Sequence, residues 1–328
     1  MNQTLFFPTA ADVAAAAAAL RGCVRRTPLI PSPWLSAIAG RPILLKLENL
    51  QETGSFKARG ALNFLLSLAP EERARGVVTA SAGNHGQGLA WAGQLLGVFT
   101  TIVLPVDAVS VKIERTRAWG ATVVLRGHGY DEAHAHAVAL AATTGALYVP
   151  AYEHPTIMAG QGSLALEIVE ERPDVEGVVV PVGGGGLVCG VAAALSTRSP
   201  RPWVLGVQSD HTRAVYDALT TGKMDLVDDL PTLADGLAGE TDPYVVAACR
   251  AFGLTVVLVP EAALLGAIGA TLLQEHLAIE GSAAVSVAAV LHGGLLPPGD
   301  GAVALVLSGG AVAPAVLALA LASAEAPA

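Results

Sequence analysis

Nine short apolar runs alternate with Ala-rich stretches along most of this chain, and that alternation restricts the folds open to it more than any other feature. The runs are 42–48, 77–80, 101–104, 122–125, 146–149, 177–182, 203–207, 255–259 and 303–307. Runs such as Gly177-Val-Val-Val-Pro-Val182 are apolar at successive positions, so the strands they predict are buried on both faces. Helical segments between them leave room for the crossovers that parallel strands need. The spacing therefore predicts an α/β protein with an open, twisted, mostly parallel sheet and helices on both sides. In such sheets ligands bind beyond the carboxyl ends of the strands, so the residues that follow each run are the ones to examine.

A length of 328 residues exceeds what one hydrophobic core usually serves, which predicts two lobes. With 52% apolar and 14% charged residues, the chain is able to bury a large core and is not disordered. A net charge of −9 argues against nucleic acid or an anionic membrane as partner. Cys23, Cys189 and Cys249 are far apart and form no CxxC pair, which suits free thiols in a reducing cytoplasm. The Ala run at 14–19 lacks a basic flank, so it reads as a helix capped near Thr9 or Asp12 and not as a signal peptide. No stretch reaches the 18 apolar residues of a membrane span.

Four post-strand positions stand out. Lys57 opens a helix just after the 42–48 run, where partial burial of an amine lowers its pKa and makes it a nucleophile for Schiff-base chemistry. Taken alone, a lysine in a first helical turn is ordinarily a solvated charge. After 77–80 comes Ser81-Ala-Gly-Asn-His-Gly-Gln-Gly88, a small-residue turn whose N–H groups suit a carboxylate, with the Asn84 amide beside them. After 177–182 come Gly183, Gly184, Gly185, Gly186 and Leu187, where close backbone approach to a phosphate would reward the ordering of four glycines. No Gly-Lys-Ser/Thr follows, and Val188 and Cys189 break a GxGxxG spacing, so a single phosphate group fits better than a dinucleotide. Ser308-Gly-Gly310 follows the 303–307 run and presents a hydroxyl able to meet an aromatic nitrogen. A lysine, a phosphate nest, an amide and a hydroxyl together match the needs of pyridoxal 5′-phosphate.

At this point the chain closely resembles the fold-type II pyridoxal-phosphate enzymes of the tryptophan-synthase-β-like fold, in the threonine/serine dehydratase branch. The resemblance rests on Lys46-Leu-Glu-Asn-Leu-Gln-Glu-Thr-Gly-Ser-Phe-Lys-Ala-Arg-Gly-Ala61, Ser81-Ala-Gly-Asn-His85, Ala159-Gly-Gln-Gly162 and Pro181-Val-Gly-Gly-Gly-Gly-Leu187. Thr232-Leu-Ala-Asp-Gly-Leu237, Glu280-Gly281 and Ser308-Gly-Gly310 complete it, so it runs from Arg26 to Gly310. The resemblance implies that Lys57 holds the cofactor as a Schiff base and moves the Cα proton. It implies that Phe56 and Gly236 pack on the two ring faces and that Gly183 to Leu187 hold the phosphate. Asn84 is then the partner of the ring oxygen, Ser308 of the ring nitrogen, and Glu280 lies near the ring. The backbone of Ser81, Ala82, Gly83, Asn84 and His85 takes the substrate carboxylate, and Tyr152 is a candidate for substrate selection. Lys57, Ser81 and Asn84 are thus the catalytic candidates. The implied activity is loss of the β-hydroxyl from a small L-β-hydroxy amino acid, giving a 2-oxo acid and ammonia. The family also implies a homo-oligomer, with a large domain over 1–68 and 147–328 and a small mobile domain over 76–146.

Three departures refine the expectation. Ala82 stands where racemising relatives carry a second serine, and a methyl group cannot deliver a proton, so racemisation should be weak or absent. Gln208 and Ala214 replace expected acidic residues, which argues against a divalent cation there. Ala311 replaces a usual Asn. Too few residues follow Gly310 for an appended regulatory domain, so a catabolic enzyme is the expectation. His134 and His136, two apart on a helix, read as surface residues and cannot share a metal. His154 reads as a loop histidine beside the pocket. The rivals are β-replacement on the same fold, specialised dehydration of 3-hydroxyaspartate or phenylserine, and a non-catalytic cofactor binder.

Overall fold

The computed structural model describes residues 6–108, 110–224 and 230–325. Among them run ten strands: β1 (Leu29–Pro31), β2 (Ile43–Lys46), β3 (Val77–Ala80), β4 (Thr100–Leu104), β5 (Thr122–Leu125), β6 (Leu147–Tyr148), β7 (Gly177–Pro181), β8 (Trp203–Ser209), β9 (Thr255–Val259) and β10 (Val303–Val306). The helices in the first half are α1 (Ala10–Leu20), α2 (Pro33–Ala39), α3 (Lys57–Ser67), α4 (Pro70–Arg75), α5 (Asn84–Leu96), α6 (Ser110–Ala118) and α7 (Gly129–Thr144). Those in the second half are α8 (Pro155–Glu171), α9 (Gly186–Leu195), α10 (Ala214–Thr220), α11 (Pro243–Phe252), α12 (Ala262–Glu275), α13 (Gly281–Leu291) and α14 (Pro314–Glu325).

The strands form two sheets, one ordered β1-β2-β10-β7-β8-β9 and the other β5-β4-β3-β6. All nine sequence runs contain a strand, and their pairings with one another are parallel. The remaining strand, β1, lies antiparallel on the edge beside β2. Its three residues end in Pro31, which has no N–H to donate, and it is too short to announce itself in the sequence.

The apolar pattern now has a physical basis. Strands β7 and β10 are buried throughout, with helices on both faces. One core joins α1, α8, α9 and α11 through Val13, Ala165, Val188, Val245 and one face of β7. The opposite core joins α2, α12 and α13 through Leu35, Ile268 and Val287. The four-stranded sheet is also sandwiched, with α3 and α5 on one face and Ala133, Ala137 and Ala141 of α7 on the other. Helix α1 begins where the sequence predicted, with Thr9 and Asp12 forming a reciprocal capping box.

The Ala159-Gly-Gln-Gly162 segment has a packing role. A Cβ on Gly162 would overlap the Gly190 carbonyl oxygen, and one on Gly190 would overlap that of Met158. Helices α8 and α9 therefore touch backbone to backbone, which fixes the start of α9 against the rest of the fold.

Each sheet has one point where the strand order reverses. In the larger sheet it falls between β7 and β10, and in the smaller one between β3 and β6. Ligand crevices form at such points. The four segments that emerge there are 182–187, 307–310, 81–85 and 149–153.

Candidate active site

Lys57 is the first residue of α3, directly after the Gly54–Phe56 turn. That turn is pinned to the segment following β10: Phe56 N donates to Ser308 O at 3.1 Å, Gly310 N donates to Gly54 O at 2.9 Å, and Ser55 bridges Gly309. Lys57 and Ser308 are thus brought side by side by backbone pairing. The half-buried Lys57 donates its amine to Ala151 O at 2.9 Å, in the segment after β6. Burial lowers its pKa to about 8, while the Glu153 carboxylate pulls it upward. The Phe56 ring lies 5.4 Å from the amine.

Behind Lys57 the helix is anchored by charge. The buried Arg59 guanidinium bonds both Glu48 oxygens at 2.8 Å, and Glu167 Oε1 at 2.6 Å. Lys46, fully buried, donates to Thr27 O at 2.7 Å and pairs with Glu167. Arg59 N also donates to Phe56 O, so the network holds the turn that carries Lys57.

The glycine run wraps the start of α9. A Cβ on Gly184 would meet the Tyr152 ring at 2.5 Å, and one on Gly186 would meet Tyr152 O at 2.8 Å. Gly185 takes φ 94°, a left-handed value, at the position before the helix. Gly183 approaches Gly236 O, and Gly236 N donates to Ser282 Oγ at 3.0 Å. Leu187 turns its side chain into the core while its N–H stays in the first helical turn. The helix therefore presents free N–H groups from a loop that admits no side chains, a cradle of the kind a phosphate fills.

Segment 81–85 opens α5, with Gly83 as its cap residue. Gly83 N donates to Ser81 Oγ at 3.2 Å, and Ala82 packs partly buried beside α5. The Asn84 amide donates to Glu280 Oε1 at 2.8 Å, across from one sheet to the other. Glu280 precedes α13 without capping it through its side chain, and is 6% exposed. Burial raises its carboxyl pKa to about 7, and Asp235 adds to this, while the Asn84 amide, the Ala311 N–H and Lys112 oppose it. His85 is buried, with Nε2 3.4 Å from Val149 O, and burial together with Lys57 lowers its pKa to about 3. Its role in the fold is that of a neutral ring.

Lys57, Asn84, Glu280, Ser308 and the glycine loop are therefore brought to one cleft. Tyr152 joins the wall of the glycine loop and donates its hydroxyl to Glu240 O at 3.2 Å. His154 caps α8 by accepting from Thr156 N at 3.2 Å, with its ring on the edge of Phe64. His134, which the sequence reads as surface, is half-buried and stacked 5.7 Å from Tyr130, with Tyr148 edge-on at 5.4 Å. Its helical spacing could not reveal the two rings. Gln208 spends its amide on Thr212 O and Tyr216 N.

Sequence reasoning missed Glu153, whose carboxylate folds back onto Tyr152 N at 3.2 Å and acts electrostatically on Lys57. Its position after β6, at the smaller sheet's reversal point, was the available signal.

The residues fit pyridoxal 5′-phosphate on two structural grounds. The glycine cradle is one. The other is that, of nine buried side-chain polar atoms without hydrogen-bond partners among the described residues, Thr53 Oγ1, Ser55 Oγ and His85 Nδ1 belong to the turn before Lys57 and to the start of α5. The sequence comparison agrees: residues 20–309 match the family described as pyridoxal-phosphate dependent enzyme, and the chain belongs to that family. The chain is 44% identical to an L-threonine ammonia-lyase of Thermotoga maritima over 92% of this chain and 75% of that protein. The processed form of threonine deaminase isoform 2 from Solanum lycopersicum superposes with a TM-score of 0.87 at 32% identity, covering 96% of this chain and 92% of that one. Maize serine racemase superposes with a TM-score of 0.91 at 27% identity, over 97% and 98% of the two chains.

Proposed function

We propose that this chain is a dehydratase that removes the β-hydroxyl of L-threonine or L-serine and releases a 2-oxo acid and ammonia. The observation that carries this reading is the Lys57 amine, held at Ala151 O with a pKa of about 8 where the reversal points of both sheets meet. Similarity to the L-threonine ammonia-lyase supports the substrate class.

When bound, pyridoxal 5′-phosphate supplies an electron sink that acidifies the amino-acid Cα–H. Gly183 to Leu187 would hold its phosphate through the N–H groups at the start of α9. Asn84 would meet the ring oxygen and Ser308 the ring nitrogen, with Phe56 and Gly236 the residues that would flank the ring. Ser308 is neutral, so at the ring nitrogen it would support a weaker electron sink than a carboxylate, which would favour loss of a β-leaving group over transamination. Within the Ser81–His85 turn, Ser81 N is bonded to Val103 O and Gly83 N to Ser81 Oγ, so the N–H groups of Ala82, Asn84 and His85 are the ones that bind the substrate carboxylate and fix which Cα–H faces Lys57. With a pKa of about 8, the Lys57 amine is substantially neutral at a mildly alkaline pH and takes that proton. The Cα hydrogen and the β-hydroxyl are lost together as one water, the hydroxyl departing with a proton, and a second water hydrolyses the released enamine to the oxo acid and ammonia. Ala82 has no proton to donate on the opposite face, so the substrate undergoes elimination and not inversion.

Residues 76–146 act as a small domain that closes on the substrate, and 1–68 with 147–328 form the cofactor-binding part. A homo-oligomer in the cytoplasm completes the reading. Exposed apolar side chains at Ile38, Leu273 and Leu319 support the first point, and free thiols at Cys23, Cys189 and Cys249 the second.

The test is a screen of L-threonine, L-serine, 3-hydroxyaspartate and phenylserine against the cofactor-loaded protein, scoring oxo acid and ammonia. Turnover of threonine or serine is expected. Failure of every β-hydroxy amino acid, with cysteine formed from O-acetylserine and sulfide, would assign β-replacement instead.

A further inference from the structure

Helix α6 follows β4 at the carboxyl edge of the smaller sheet, and Lys112 lies in its first turn. Its Nζ sits 2.8 Å from Asp235 Oδ2. Every other ion pair among the described residues has both partners outside residues 76–146, including Arg59 of α3 with Glu48 and Glu167 behind the site. Among these pairs, Lys112–Asp235 alone has one partner within residues 76–146 and the other outside them. Asp235 opens the short 3-10 turn Asp235–Leu237, whose Gly236 is bonded to Ser282 and borders Gly183 of the glycine loop. Deeper in the cleft, the Asn84–Glu280 hydrogen bond crosses between the same two parts. The charges of Lys112 and Asp235 both reach the Glu280 carboxyl, with opposite effects.

We infer that Lys112 and Asp235 are positioning residues that form an ionic clasp, holding α6 across the cleft mouth and keeping the smaller sheet over a bound amino acid. The pair is well exposed, at 36% for Lys112 and 60% for Asp235, so the clasp is weak and screened by salt. Such weakness suits a contact that opens and re-forms with every turnover. A buried pair of the Arg59 type would hold too firmly to open each time. The clasp closes over the site of the proposed elimination, and only its kinetic readout rests on that activity.

Lys112→Met and Asp235→Asn should each raise KM for threonine roughly two- to fivefold with kcat changed less than about twofold. Lys112→Arg should stay close to wild type. The charge-reversed double variant Lys112→Asp/Asp235→Lys should recover most of the lost KM. Raising the salt concentration should raise the wild-type KM and leave that of Lys112→Met unmoved. Hydrogen exchange of the substrate-free protein gives a readout independent of turnover: amides of 110–118 and 232–238 should exchange faster in Lys112→Met, while those of α9 should not change. Unaltered exchange at both segments, or a double variant no better than either single one, overturns the clasp. Wild-type protein that exchanges as expected but turns over no β-hydroxy amino acid refutes the proposed activity and leaves the clasp standing.

Discussion

Lys57 shows how a single residue takes on chemistry from its surroundings. Its position after a strand was legible in the sequence. Its lowered pKa was not, because that depends on burial among segments more than ninety residues away and on Glu153. The amine must be neutral to capture an aldehyde cofactor. Capture by cofactor-free protein should therefore rise about tenfold per pH unit below a midpoint near pH 8, then level off. The Glu153 carboxylate raises that midpoint, so Glu153→Gln should move it downward, measured as the rate at which yellow absorbance develops. An unmoved midpoint would remove Glu153 from the site. Arg59 makes a second case at this scale. Arg59→Met leaves Glu48 buried without its guanidinium partner, and urea unfolding should show a loss of about 3–5 kcal/mol.

At the scale of elements, the glycine run and the start of α9 were legible because four adjacent glycines after a strand have few other uses. What covers them was not. Tyr152 belongs to the segment after β6, and nothing local predicts that its ring packs against Gly184. Gly184→Ala would place a methyl group inside van der Waals contact with that ring. We expect it to weaken cofactor binding by about tenfold or more, ~1.4 kcal/mol, read by titration of absorbance. Unchanged affinity would show that the loop has space the packing does not suggest. Strand β1 and the contacts of His134 were also invisible in the sequence. Two or three residues carry no period, and a stack of rings from β6 and α7 is set by tertiary packing.

For the whole molecule, the sequence announced an α/β architecture because strands buried on both faces cannot alternate polar and apolar residues. The convergence of two reversal points on one lysine is a property of topology, and no run of residues contains it. That convergence underlies the proposed one-sided chemistry, in which Lys57 would take the Cα proton and Ala82 would offer nothing opposite. The most direct measurement is chiral chromatography of L-serine incubated with the cofactor-loaded protein, alongside quantification of pyruvate and ammonia. Elimination from one face predicts pyruvate and ammonia in equal amounts, residual serine entirely L, and no product with Lys57→Ala. Accumulation of D-serine, or pyruvate formed without Lys57, would contradict it.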